Sequence, residues 1–196
     1  MVEGLTCPES PDGTLEMNFT VLFIHGPAAA GKYTIGNLVS ARLGVPLFHN
    51  HLTVDLAGTL FEFGTPAFRQ LRAEIWKSSF RAAASAQRSF VFTFTPDRTV
   101  DPSLLSELSD IVSCGQGHIH YIELRCEDAE IERRIGSPGR RRFGKLIDPD
   151  VYREVKASGG FQFPDLPEPL VSIDTESVTP DEAAELIVRS LERIRR

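Results

Sequence analysis

The sequence predicts an α/β protein built on a mainly parallel sheet, and three observations carry that expectation. Short apolar runs rich in β-branched and aromatic residues alternate along the chain with segments of helical period. The clearest of these runs, Phe19-Thr20-Val21-Leu22-Phe23-Ile24, shows no polar alternation, as expected of a strand covered on both faces. That run passes through a glycine-flanked turn directly into a helical pattern.

The elements follow in order. After the strand at 19–24 and the turn at 26–34, Ile35, Leu38, Val39 and Leu43 mark a helix closed by Gly44. Residues 45–48 read as a second strand. Residues 52–88 read as helical: Leu52, Leu56, Leu60 and Phe63 repeat at helix spacing, Gly64-Thr65-Pro66 interrupts, and Phe68, Leu71, Ile75 and Phe80 resume. Residues 90–95 form the next strand. Asp101 then caps a helix with Pro102 at its first position, running to about Val112. A strand at 118–124 and a helix at 127–136 precede a basic, glycine-containing loop at 137–148 and a short helix at 150–157. After a loop at 158–169, a short strand at 170–173 leads to the last helix. Thr179 caps it, Glu182 completes a capping box, and Ala184, Ile187, Val188, Leu191 and Ile194 form its stripe.

Length and composition set the bounds. A chain of 196 residues, 41% hydrophobic and 24% charged, suits one soluble domain at 19–196 behind a flexible tail at 1–18. The net charge of -6 argues against a nucleic-acid partner. No run approaches the roughly 20 apolar residues of a membrane span. Three cysteines, Cys7, Cys114 and Cys126, without a CxxC pattern, point to a reducing, cytoplasmic setting. Nothing separates a monomer from a homodimer.

The chemistry concentrates in Gly26-Pro27-Ala28-Ala29-Ala30-Gly31-Lys32-Tyr33-Thr34. Terminal glycines let backbone wrap a polyphosphate and aim N–H groups inward, the following helix adds the positive end of its dipole, and Lys32 reaches the outer phosphates. Two departures stand out. Tyr33 takes the place where a hydroxyl usually follows the lysine, and Ala29 takes the place of a third glycine. If that position needs φ > 0, alanine costs about 1 kcal/mol there.

This loop resembles the adenylate kinase and shikimate kinase branch of the P-loop kinases, in which a threonine likewise stands two places after the lysine. The resemblance implies a three-layer fold with five parallel strands ordered 2-3-1-4-5. It also implies ATP and Mg2+ as cofactors, with Thr34 near the metal and part of the metal shell made of water. The activity implied is transfer of a phosphoryl group to a small-molecule acceptor.

His49, Asn50, His51 and Asp55 follow the second strand, where an open parallel sheet binds its ligands. Shikimate kinases hold their acceptor with an aspartate after that strand, followed by a Gly-x-x-x-Phe-Arg element. Gly64, Phe68 and Arg69 are similar, with Glu74 further along. The resemblance implies Asp55 as acceptor ligand or general base, and Arg69 or Arg72 as the cation that binds the acceptor. Asp55 would equally suit a helix first turn, and the arginines a solvated face. Thr93, Thr95 and Asp97 stand where related enzymes carry a magnesium partner or an acceptor contact.

Arg133, Arg134, Arg140, Arg141, Arg142 and Lys145 put six cations in one short region. A cationic segment closing over a transferring phosphoryl group stabilises its charge and excludes water. Glu132, Arg133 and Gly136 resemble the helix end before an adenylate kinase lid, which implies a lid at about 137–148 with Arg140 and Arg141 over the phosphates. Asp174 and the helix after it resemble the adenine-side loop of shikimate kinases. Two alternatives remain: a nucleotide or antibiotic kinase, and an ATP-binding switch module with little turnover.

Overall fold

The computed structural model describes residues 19–136 and 148–194. The tail expected at 1–18 and the lid expected at 137–148, with Arg140 and Arg141, therefore lie outside the described residues, save Asp148.

Five strands and seven helices alternate among the described residues: β1 (Thr20–His25), α1 (Lys32–Leu43), β2 (Leu47–His49), α2 (His51–Gly58), α3 (Pro66–Ser85), β3 (Phe90–Phe94), α4 (Pro102–Cys114), β4 (His118–Arg125), α5 (Asp128–Ile135), α6 (Pro149–Ala157), β5 (Val171–Asp174) and α7 (Pro180–Ile194). The strands form one all-parallel sheet in the order β2-β3-β1-β4-β5. This is the order the resemblance implied.

The unbroken apolar runs have a simple cause. Val21 and Phe23 of β1 enter an aromatic layer with Trp76 and Phe80 of α3 and Leu104, Leu105 and Leu108 of α4. The alternate residues Leu22 and Ile24 join an aliphatic layer with Ile35 and Val39 of α1 and Ile187 and Leu191 of α7. Both faces of the strand are buried, so neither parity is polar.

Four helices open on proline behind a polar residue. The side chains of Thr65, Asp101 and Asp148 each accept from a backbone N–H of the first turn. The box at α7 is closed both ways: Glu182 N–H donates to Thr179 Oγ1 at 3.3 Å, and Thr179 N–H donates to Glu182 Oε2 at 2.8 Å.

Two boundaries differ from the sequence reading. β2 begins at Leu47, not residue 45, because Pro46 lacks an N–H and contributes only its carbonyl, which accepts from Val91 N–H. The first helix of the run 52–88 stops at Gly58, short of the break expected at Gly64-Thr65-Pro66, and Thr65 caps the second. The stripe of Leu52, Leu56 and Leu60 does repeat with a helical period, but it is exposed.

Phe92 is fully buried, with the rings of Phe23, Phe48, Trp76 and Phe80 at centroid distances of 5.2 to 5.3 Å. Phe92→Ala is expected to cost about 3–5 kcal/mol, read from the midpoint shift in a chemical denaturation curve.

Candidate active site

The site begins where β1 ends. Gly26 adopts φ 150, and a Cβ built on it would lie 2.3 Å from the Leu124 carbonyl oxygen of β4, so only glycine lets the chain turn there. Gly31 caps α1 in the left-handed region at φ 90 and offers no side chain to the helix's first N–H groups. These N–H groups and the helix dipole form an anion cradle. Ala29 sits at φ 63, a left-handed backbone without the glycine that would relieve it. Lys32 Nζ donates to the carbonyls of Gly26 at 2.8 Å and Pro27 at 2.5 Å, and so lies along the loop. An arriving phosphate oxygen would exchange for these carbonyls.

Behind the loop, His25 is 7% exposed, meets the Tyr121 ring edge-on and stands in register with Glu123. Burial, helped by the Lys32 cation and opposed by Glu123, pulls its pKa from 6.5 down to about 4. The imidazole is neutral at pH 7.

In front of the loop lies a cavity of about 1340 Å³. That exceeds the roughly 300–1,000 Å³ of a pocket for one small ligand. Among the described residues Lys32, Arg69, Arg72, Arg98, Arg133 and Arg134 line it, against the acids Asp97 and Glu130. A chain with net charge -6 has thus gathered cations at one concave surface. Glu130 accepts from Arg133 Nε and Nη2 and from Arg134 Nε, all at 2.6 Å. The Arg133 bonds, then those of Arg134, hold its carboxyl down at about 2. Arg134 also donates to Thr175 Oγ1 at 2.9 Å and to its carbonyl at 2.7 Å, joining α5 to the loop after β5.

Arg72 is 1% exposed. Its guanidinium stacks near Phe68 and Trp76, donates from Nη2 to the Thr99 carbonyl at 2.6 Å, and faces Asp97 with Nη1 3.8 Å from Oδ2. Burial lowers its pKa and Asp97 opposes that shift.

The residues singled out from sequence divide accordingly. Residues 28–34 line the cavity, with Thr34 exposed at its rim, while Gly26 and Pro27 form the back of the loop. Asn50 and His51 also line it, and Asn50 N–H donates to Thr93 Oγ1 at 3.2 Å. His49 stands off the lining, packed edge-on against Tyr33 at 5.0 Å. Arg69 reaches the cavity, its Nε donating to the Gly64 carbonyl at 2.7 Å.

Two expectations are corrected. Asp55 is exposed on α2 beyond its first turn and does not line the cavity. The buried face of that helix is set by Thr53 and Ala57, and Asp55, two residues from each, points the opposite way. Asp174 folds into its own turn, accepting from Glu176 N–H and Ser177 Oγ, while Thr175, Val178 and Pro180 line the cavity in its place. Arg98 and Glu130 were not singled out, whereas Thr175 stood in the motif that resembles the adenine-side loop. The signal for Glu130 was its i,i+4 spacing to Arg134; Arg98 reaches the cavity only in three dimensions. Among the described residues, no group of three or more His, Cys, Asp or Glu side chains is placed to hold a metal ion, and no helix is long and apolar enough to cross a membrane.

No sequence-family model and no curated protein matches the chain. Solved structures do match it. A sugar kinase from Janibacter sp. superimposes with a TM-score of 0.60 at 16% identity, over 88% of this chain and 94% of that one. The Mycobacterium tuberculosis APS kinase in complex with AMPPNP and APS gives 0.60 at 14% identity, over 89% and 98%. Shikimate kinase from Aquifex aeolicus gives 0.53 at 17% identity, over 89% and 98%. The fold is that of the P-loop small-molecule kinases.

Ala29→Gly is expected to raise stability by up to about 1 kcal/mol by relieving the left-handed backbone, read as a higher midpoint in denaturant. The His25 shift has a sign as well: the unfolded imidazole takes up a proton that the folded one resists. Stability therefore falls as pH drops from 6.5 through about 4. The melting temperature of His25→Phe is expected to change less than that of the wild type across that window.

Proposed function

We propose that the chain is an ATP-dependent phosphotransferase that moves the γ-phosphoryl group to a hydroxyl of a small, anionic acceptor of the shikimate or gluconate kind. The observation that carries this reading is a cationic cavity, larger than a pocket for one small ligand, opening directly on the loop at residues 26–34. The loop's backbone N–H groups and Lys32 take the phosphates, and Lys32 follows the negative charge as it spreads in the transition state. Arg133 and Arg134, braced on Glu130, flank the donor side. Thr175, Val178 and Pro180 give the base a mostly apolar seat. On the acceptor side, Arg69 supplies an accessible cation, and Asn50 and His51 supply polar contacts.

Magnesium is compatible with this donor set. Thr34 puts a hydroxyl on the cavity rim and Tyr33 packs against His49. An ion here takes most of its ligands from phosphate and water, as magnesium commonly does. When bound, it neutralises β- and γ-phosphate charge. Arg140 and Arg141, as lid cations, belong to the same proposal.

The test is ADP release from MgATP across a panel of hydroxylated carboxylates, sugars and nucleoside monophosphates. Acceptor-dependent release is the expected result, and tight ATP binding without turnover would turn the reading toward a switch. Lys32→Ala is expected to lower the rate about 100-fold or more and weaken ATP binding at an unchanged melting temperature. An unchanged rate removes Lys32 from the reaction.

A further inference from the structure

A phosphotransferase must hold its acceptor hydroxyl and give the proton somewhere to go. The carboxylate expected to do so from the sequence, Asp55, faces solvent on α2. Among the described residues, Asp97 and Glu130 are the acids on the cavity wall. Both oxygens of Glu130 are occupied by Arg133 and Arg134, which excludes it.

Asp97 is differently placed. Its Oδ1 accepts from Thr99 N–H at 2.7 Å and from Thr99 Oγ1. Among the described residues its Oδ2 accepts no hydrogen bond and faces Arg72 Nη1 at 3.8 Å, an ion pair rather than a bond. The side chain is 16% exposed, on the cavity wall. The sheet explains the position. β3 lies beside β1 with Phe94 in register with His25, so the chain just past Phe94 emerges next to the phosphate loop. β2 on its other side brings Asn50 and His51. Asp97 thus stands at the junction of the donor and acceptor halves. Arg72 holds it there from behind: it is buried, bonded to the Thr99 carbonyl and framed by Phe68 and Trp76.

We propose that Asp97 Oδ2 holds the acceptor hydroxyl and takes its proton, and that Arg72 is the residue that positions it. The assignment rests on the phosphotransferase reading above. In the step, the acceptor oxygen bonds to the γ-phosphorus of the nucleoside triphosphate. The bond from that phosphorus to the β,γ-bridging oxygen breaks, and its electron pair leaves on the diphosphate. The hydroxyl proton passes to Asp97 and from there to water.

Asp97→Asn tests this cleanly, because the amide oxygen keeps the Thr99 bonds and the volume while the proton acceptor is lost. The probe is MgATP, with affinity read by calorimetry and turnover read as hydrolysis with water in the acceptor's place. The expected result is ATP affinity within about three-fold of wild type and turnover lower by about 100-fold, with a lower melting temperature because buried Arg72 loses its counter-charge. Arg72→Lys, which keeps the cation, is expected to lose less turnover than Arg72→Gln at equal ATP affinity. Asp97→Asn turnover equal to wild type overturns the assignment, as does loss of ATP binding in step with rate. Equal losses in the two Arg72 variants overturn the positioning role. A wild-type protein that neither binds nor hydrolyses ATP removes the phosphotransferase reading and this assignment with it.

Discussion

The site depends on one close approach of backbone to backbone. At Gly26 the chain leaves β1 so near the Leu124 carbonyl of β4 that no side chain fits between them. That contact fixes where the loop begins relative to the sheet. Gly31 then sets where it ends, at the first turn of α1. Everything placed around the cavity is placed relative to this arc: Lys32 lies along it, β3 emerges on one side of it, and α5 with the loop after β5 closes the other. Ala29 shows that the arc is held against local preference, because an alanine remains in a left-handed conformation that the ends of the loop impose on it.

Charge is organised at a second level. Among the described residues, six cations and two acids line a cavity in a protein of net charge -6. These cations are braced rather than loose. Arg134 spans from Glu130 to Thr175, Arg72 is sunk between two aromatic rings, and Arg98 donates to the Ser158 carbonyl at 3.2 Å. Groups fixed before the ligand arrives need not reorganise when negative charge develops, which is the condition under which such groups stabilise a transition state most. The neutral His25 beneath the loop adds no further positive charge at pH 7.

Much of this was legible in the sequence. The parity of Val21 and Phe23 against Leu22 and Ile24, the proline-led caps, and the glycines of the phosphate loop are local signals, and local physics answers them. Even the positive φ at Ala29 was foreseeable from its place in the loop. What was not legible depends on tertiary rotation. Asp55, Leu52 and Leu56 all sit on α2, and no local feature says which face of a short helix turns inward; Thr53 and Ala57 decide it. Asp97, read as one of several groups near a strand end, gains its significance only from Arg72, which is 25 residues earlier in the chain and on another element. Arg98 comes to the cavity through the strand order, not through any motif.

The strand order has a further consequence for how the molecule comes into being. β1 pairs with distant segments, residue 21 with residue 90 and residue 20 with residue 118. Its sequence neighbour β2 sits at the sheet edge and never bonds to it. The central strand, apolar on both faces, has no partner strand until β3, at residues 90–94, is in place. Such distant pairings slow folding and leave sticky surface uncovered meanwhile. Because Gly26 leans on Leu124, a nascent chain that has not reached β4 lacks the support for its anion cradle.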